Sequence, residues 1–199
     1  MSIDIYDQRV RLKPKSAYRT GFLGPGAPLE ETNGIIFPYT PNISVQHSVD
    51  YSRYDLVHTN YQQNAYGKTT NPNIQITGMF ISQTEREAKY TAAVMHFLRV
   101  VTKMHFGQDD LAGTPPPVLD FDAYGQYNFR NVPVLVGSFS FIYEDGVDLI
   151  DVTADGQRLQ LPTVMNIAID LLPQYSPNRQ NSFSLDEFAR GTGYRKGFI

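Results

Sequence analysis

The sequence predicts a mainly β protein: two packed antiparallel sheets, as a sandwich or barrel, with one long flanking α-helix at about residues 83–105. Three observations carry this prediction. Short alternating apolar runs fill both halves of the chain, whereas a single stretch has strong helical periodicity. Thirteen Tyr and 12 Phe stand beside 13 Pro and 15 Gly, with no Trp, a mix suited to strands joined by shaped loops. The order of segments is strands, one helix, strands, as expected for two sheets with a helix on their flank.

Taken in order, "SIDIYDQ" and "RVRL" read as one or two short strands within residues 1–12. From Lys13 to Asn33 proline and glycine dominate and periodicity vanishes. Residues 1–32 are therefore expected as N-terminal strands and an extended arm, locally basic through Arg9, Arg11, Lys13, Lys15 and Arg19. Residues 33–199 make the main domain. "GIIFPY" is a short strand stopped by Pro38. In "NISVQHSVDY", Ile43, Val45, His47 and Val49 point one way and Ser44, Gln46, Ser48 and Asp50 the other, a half-buried strand with one wet face. "YDLVHTNY" is expected as its hairpin partner, "QQNAYGKTTNPN" as a polar turn region, and "NIQITGMFISQ" as a strand.

The helix follows. Ser82 and Glu85 have capping-box spacing, and Glu85 and Glu87 suit the positive end of the helix dipole. Tyr90, Val94, Phe97, Val101 and Met104 fall at steps of four and three, so they form one apolar stripe that packs on something large. Arg99 and Lys103 suit the C-terminal end, and Gly107 is a natural stop. After three prolines, "VLDFDAY" and "NVPVLVGSFSFIYE" read as strands; Pro133 places the start of the second at a sheet edge or bulge. Asp-Gly turns at Asp145 and Asp155 frame an acidic hairpin, and residues 163–172 are a further strand. A short element around "SLDEFA" and a basic end close the chain.

The totals exclude several functions. A net charge of −3 argues against sequence-independent coating of DNA, which needs cations on the phosphates. The absence of cysteine excludes disulfides, thiol catalysis and thiolate metal sites, and fits synthesis in a reducing cytoplasm. No apolar run reaches about 18 residues, so no transmembrane helix is expected, and the N-terminus lacks the apolar core of a secretory signal. His96 and His105 lie nine apart and no His-x-x-x-His pair occurs. Asp120 and Asp122 share a strand face, but no further ligand stands at readable spacing, which suits a solvated or salt-bridged sheet face. "GFLGPG" lacks the Gly-Lys-Ser/Thr of a phosphate loop, and no Gly-x-Ser-x-Gly is present. No catalytic residue, cofactor or metal ligand is assigned. Polar-faced strands, proline-stiffened loops and long ends remain, the equipment of a chain that fits against neighbours.

Several long blocks carry a resemblance. "NGIIFPYTPNI", the stretch from "NYQQNAYGKTTNPN" through "MHFLRVVTKMHFG", "GTPPPVLDFDAYGQYNFRNVPVLVGSFSF", "SLDEFARG" and the final "GFI" resemble the tail-tube initiator and tube-cap proteins of contractile-tailed bacteriophages. The resemblance covers most of residues 33–199, which it implies are a tail-tube-like domain with a C-terminal extension. It implies a structural virion protein of the phage baseplate, assembled in the host cytoplasm. Six copies would form a ring on the baseplate hub, initiating or capping tail-tube polymerisation and lining the DNA channel. The implied partners are copies of the chain itself, hub proteins, the adjacent tube or tube-cap ring and the tape-measure protein, with DNA only in passage. The best-known members are longer, with extra domains beyond the tube fold, which leaves open which stacked ring this chain forms. A tube subunit of a related contractile injection or secretion system is the alternative, followed by a carbohydrate-binding or hydrolase module of the baseplate.

Within that reading, Pro115, Pro116 and Pro117 restrict the backbone and lower the entropy lost on docking, so they and the adjoining Tyr124 and Phe129 are expected at an inter-subunit or inter-ring contact. Ser44, Gln46, Ser48 and Asp50 are expected to face the lumen, because a DNA channel should be polar without being basic.

Overall fold

Alternating burial along the strands builds the larger of two antiparallel sheets. The computed structural model describes residues 8–15, 22–107, 111–125, 127–154 and 157–199. The first of the expected strands up to residue 7, the Asp155 turn and Arg19 lie outside the described residues. The seven-stranded sheet contains β1 (Arg11–Pro14), β2 (Ile35–Ile36), β3 (Asn42–Tyr54), β4 (Gln63–Ile81), β5 (Leu119–Ala123), β6 (Phe129–Tyr143) and β9 (Val164–Pro173), in the order β2-β1-β5-β6-β9-β4-β3. The remaining β7 (Leu149–Ala154) and β8 (Gln157–Pro162) pair as a two-stranded hairpin.

The large sheet is rolled, and chain length alone requires it. Laid flat, seven strands at about 4.8 Å spacing would hold β2 and β3 about 29 Å apart. The link from Ile36 to Asn42 reaches at most about 22 Å. In the link, Phe37 N–H donates to the Val10 carbonyl (3.0 Å), and its ring stands 5.5 Å from that of Phe80 on β4. Gly78 makes room for it: a Cβ there would lie 2.4 Å from the Phe37 ring. Tyr124, after β5, donates its hydroxyl to the Pro41 carbonyl (3.4 Å) and ties the link from the other side.

Ile74, Ile76 and Phe80 of β4 and Ile167, Ile169 and Leu171 of β9 are buried on the inner face. Helix α1 (Glu85–Val101) packs its buried Val94, Phe97, Leu98 and Val101 into the same core. Phe22 stacks on Phe97 at 5.7 Å. The Tyr90 hydroxyl accepts from Ile36 N–H (2.8 Å), which joins the helix to the β2 edge; burial pushes its pKa up. On the far side of α1, the β7–β8 hairpin buries Val152 and donates Thr153 N–H to the Glu85 carboxylate (3.2 Å). Hydrogen bonding to Lys89, and then to Thr153, lowers the Glu85 pKa.

Five sequence expectations change. The helix spans 85–101, shorter than expected, and short helices α2 (Pro177–Asn181) and α3 (Leu185–Ala189) and two 3-10 segments share the helical content. Its cap is Thr84, not Ser82: Thr84 Oγ1 accepts from Glu87 N–H (3.3 Å) and the Glu87 carboxylate accepts from Thr84 N–H (3.2 Å). Ser82 is buried instead, its hydroxyl 3.1 Å from that of Thr91. The N-terminal segment does not stand off as an arm where it is described. β1 pairs with β5, and Gly24–Leu29 forms a 3-10 helix that buries Leu29. The 63–72 stretch is strand, not turn, and is the true partner of β3. Finally, Pro133 sits in an inner strand. It opposes Asp120 of β5, and its carbonyl accepts from Gln174 N–H (2.8 Å) just past the last β6–β9 pair. The missing N–H thus costs the ladder little.

The cap yields a direct test. Thr84→Ala is expected to destabilise the fold by about 1 kcal/mol, read as a lower urea midpoint with an unchanged slope.

Candidate functional site

Two surfaces stand out, a polar sheet face and a projecting arm. The face is the outer side of β3, β4, β9 and β6. One row across it is Ser44–Gln75–Asp170–Ser138, and the next is Asn42–Thr77–Ala168–Ser140. These rows contain no lysine or arginine, and their single carboxylate, Asp170, accepts a hydrogen bond from the Ser138 hydroxyl. The pattern follows from the strand period: Ile43, Ile76, Ile169 and Phe139 between the two rows all face the core.

The arm is the outer part of the β3–β4 hairpin. β9 pairs with β4 only over Ile74–Ile81, whereas β3 and β4 stay paired out to Tyr54 and Gln63. Beyond Gln46 the hairpin has no third strand, and apart from the buried Pro72 and the half-buried Ala65 the residues of its two strands are exposed. Eight residues, 47–54, carry it about 26 Å past the sheet. Its tip is shaped: Gln62 donates to Asp55 (2.6 Å), Thr59 Oγ1 donates to the Leu56 and Tyr61 carbonyls (each 3.1 Å), and His58 has φ +64°. Apolar bodies remain in solvent along it. Tyr51 and Tyr66 meet edge to face at 6.2 Å yet stay 59% and 62% exposed, and Val57 and Tyr61 at the tip reach 82% and 85%.

The expected lumen residues divide between these surfaces. Ser44 and Gln46 lie on the polar face, whereas Ser48 and Asp50 lie on the arm beyond a register shift, with Asp50 3.7 Å from Lys68. The five expected contact residues do not form one patch. Pro115 is exposed and Pro116 and Pro117 are half-buried just before β5, in a loop held by hydrogen bonds among His105, Leu111, Gly113 and Thr114. Tyr124 and Phe129 lie at the opposite end of β5, about 17 Å along the strand. Phe129 packs its ring 5.2 Å from Phe121 of the same chain, and Tyr124, with φ +56°, braces the 37–41 link. Asp122 binds Lys13 and accepts from Asn131 N–H (2.8 Å), so this carboxylate belongs to a salt-bridged sheet.

The arm's aromatic side chains escaped the sequence reading. Tyr51, Tyr54 and Tyr66 lie on strands without a buried face, so apolar alternation never marks them. The strand formers Tyr66, Thr69 and Thr70 are interrupted by Gly67 and Lys68, so propensity gives no clear signal there either.

Among the described residues no helix is long and apolar enough to cross a membrane. The chain matches no family model, and no curated protein matches it in sequence.

Proposed function

We propose that the chain is a structural, non-enzymatic ring subunit of a phage tail baseplate. In this reading about six copies form a ring with a tail-tube-like fold on the baseplate hub, start or cap the tail tube, and line the channel through which DNA passes. The observation that carries it is the outer sheet face: two rows across four strands, polar at every position but Ala168 and without a cation. A channel wall for DNA needs this chemistry, because each lysine or arginine would hold a phosphate and slow the passage. The arm supports the same reading. A two-stranded hairpin is marginal in water by itself, and aromatic side chains kept in solvent gain stability once a neighbour covers them. The exposed Pro115 adds a rigid docking point at small entropic cost.

Electron microscopy of the purified protein, alone and then with baseplate hub components, tests the proposal. Sixfold rings with an open lumen lined by Ser44, Gln75 and Ser140 are expected. Compact monomers under both conditions, or rings that place Ile43 and Ile76 toward the channel, would overturn it.

A further inference from the structure

The two ends of β6 carry opposite charge, each beside uncovered apolar side chains. β6 has 15 residues, so about 45 Å separates its ends. The turn that follows Tyr143 exposes Glu144, Asp145 and Asp148. Ile142, Tyr143 and Leu149 around it are 49%, 55% and 60% exposed. None of these three carboxylates has an ion-pair partner among the described residues; Glu144 accepts only from the Asn166 side chain. The cations on adjoining elements are engaged elsewhere, Arg158 with Asp151, Lys89 with Glu85 and Arg86 with Glu31.

At the other end the C-terminal segment folds back on the start of β6. Arg179 donates to the Asn131 carbonyl (3.2 Å) and to that of Lys196, and its guanidinium lies 6.0 Å from the Phe198 ring. Gly197 lies so close that a Cβ would meet the Asn131 and Arg130 carbonyls at 2.5 and 3.0 Å. Around this seat Arg130, Arg190 and Arg195 are exposed and form no ion pair among the described residues, while Lys196 is paired with Glu187. Asp186 is the exposed carboxylate of α3 there. Tyr127, Phe183 and Leu185 are 60%, 46% and 71% exposed.

We propose that copies of this chain meet head to tail along the strand axis, the basic C-terminal end of one seated on the acidic β6–β7 turn of the next. The proposal rests on the reading that the chain assembles with itself, and it specifies which surfaces meet. A contact between two like ends would oppose like charges, whereas the unlike ends complement each other. The apolar side chains would form the dry centre of the contact, and the charges its rim, steering encounter and fixing register. A contact of this kind is heterologous, so it repeats in one direction and gives the assembly a polarity.

Charge exchange tests it. Two variants, Asp145→Lys with Asp148→Lys and Arg190→Glu with Arg195→Glu, change only exposed side chains; circular dichroism verifies their fold. Sedimentation velocity of the full chain follows association at about 50 and 500 mM salt. The native chain is expected to associate, and to do so about tenfold more weakly at the higher salt. Each variant alone should lose about tenfold or more, and their equimolar mixture should regain the lost association. A mixture no tighter than either variant alone overturns the proposal, as do variants that associate like the native chain. A native chain that stays monomeric also overturns it, yet leaves the ring reading intact if rings form on hub components under the microscope.

Discussion

Gly34→Ala is expected to destabilise the protein by about 4 kcal/mol, on the order of a 10 °C loss in melting temperature. Two costs add at this position. Its φ of +126° lies where an L side chain is strained, and a Cβ would stand 2.3 Å from the Leu12 carbonyl oxygen and 3.0 Å from Lys13 Cα. Both of those atoms are backbone of β1, which is pinned in turn by its pairing of Leu12 with Phe121 of β5. No rotamer change relieves the overlap. Either β1 moves off β5, or β2 lets go of β1, uncovering Leu12 and Ile35, now 1% and 0% exposed. Release of β2 would also loosen the link that rolls the sheet. Gly24→Ala is the control: φ there is +51°, and a Cβ would meet nothing within 4 Å. It should cost about 1 kcal/mol from backbone conformation alone. Urea unfolding of the two variants separates the terms, and equal losses would refute the steric argument.

That roll marks the boundary of what local pattern reveals. Ile74, Ile76 and Phe80 alternate in the sequence as they do in the core, and Tyr90, Val94, Phe97 and Val101 follow the helical period and lie on the buried side of α1. Each is a property of a few consecutive residues. The pairing of residues 11–14 with 119–122 joins segments more than 100 residues apart, and nothing local encodes it. The cap illustrates the same point at small scale. Ser82 with Glu85 and Thr84 with Glu87 both have capping-box spacing. The choice falls to Thr84 because Ser82 is needed in the core beside Thr91, a tertiary contact.

The candidate site divides in the same way. Ser44 and Gln46 were legible as a wet face, because Ile43 and Val45 between them seek the core. That Gln75, Asp170 and Ser138 extend this face into a wall depends on strand order, which the sequence leaves open. Pro115 lies at one end of β5 and Tyr124 and Phe129 at the other, because an intervening strand separates sequence neighbours in space. The arm had no apolar alternation because neither of its faces is buried in its own chain.

Shortening that arm is expected to abolish assembly while leaving the fold intact. Joining Val49 to Thr69 through Asn-Gly in place of residues 50–68 closes an existing cross-strand pair with a two-residue turn. The lost segment includes Tyr51, Tyr54, Leu56, Val57, Tyr61 and Tyr66, all at least half exposed, so the core of the single chain loses nothing. Its melting temperature should fall by no more than a few degrees, about 1 kcal/mol. In a ring these side chains would be covered, each contributing about 1.5–3 kcal/mol before the cost of ordering. Losing three of them corresponds to about a thousandfold in affinity or more, enough to empty a microscope grid of rings at micromolar protein. A folded, shortened chain that still forms rings would show that the arm serves another purpose. One that unfolds would show that the arm supports its own sheet, and circular dichroism distinguishes the two before any grid is made.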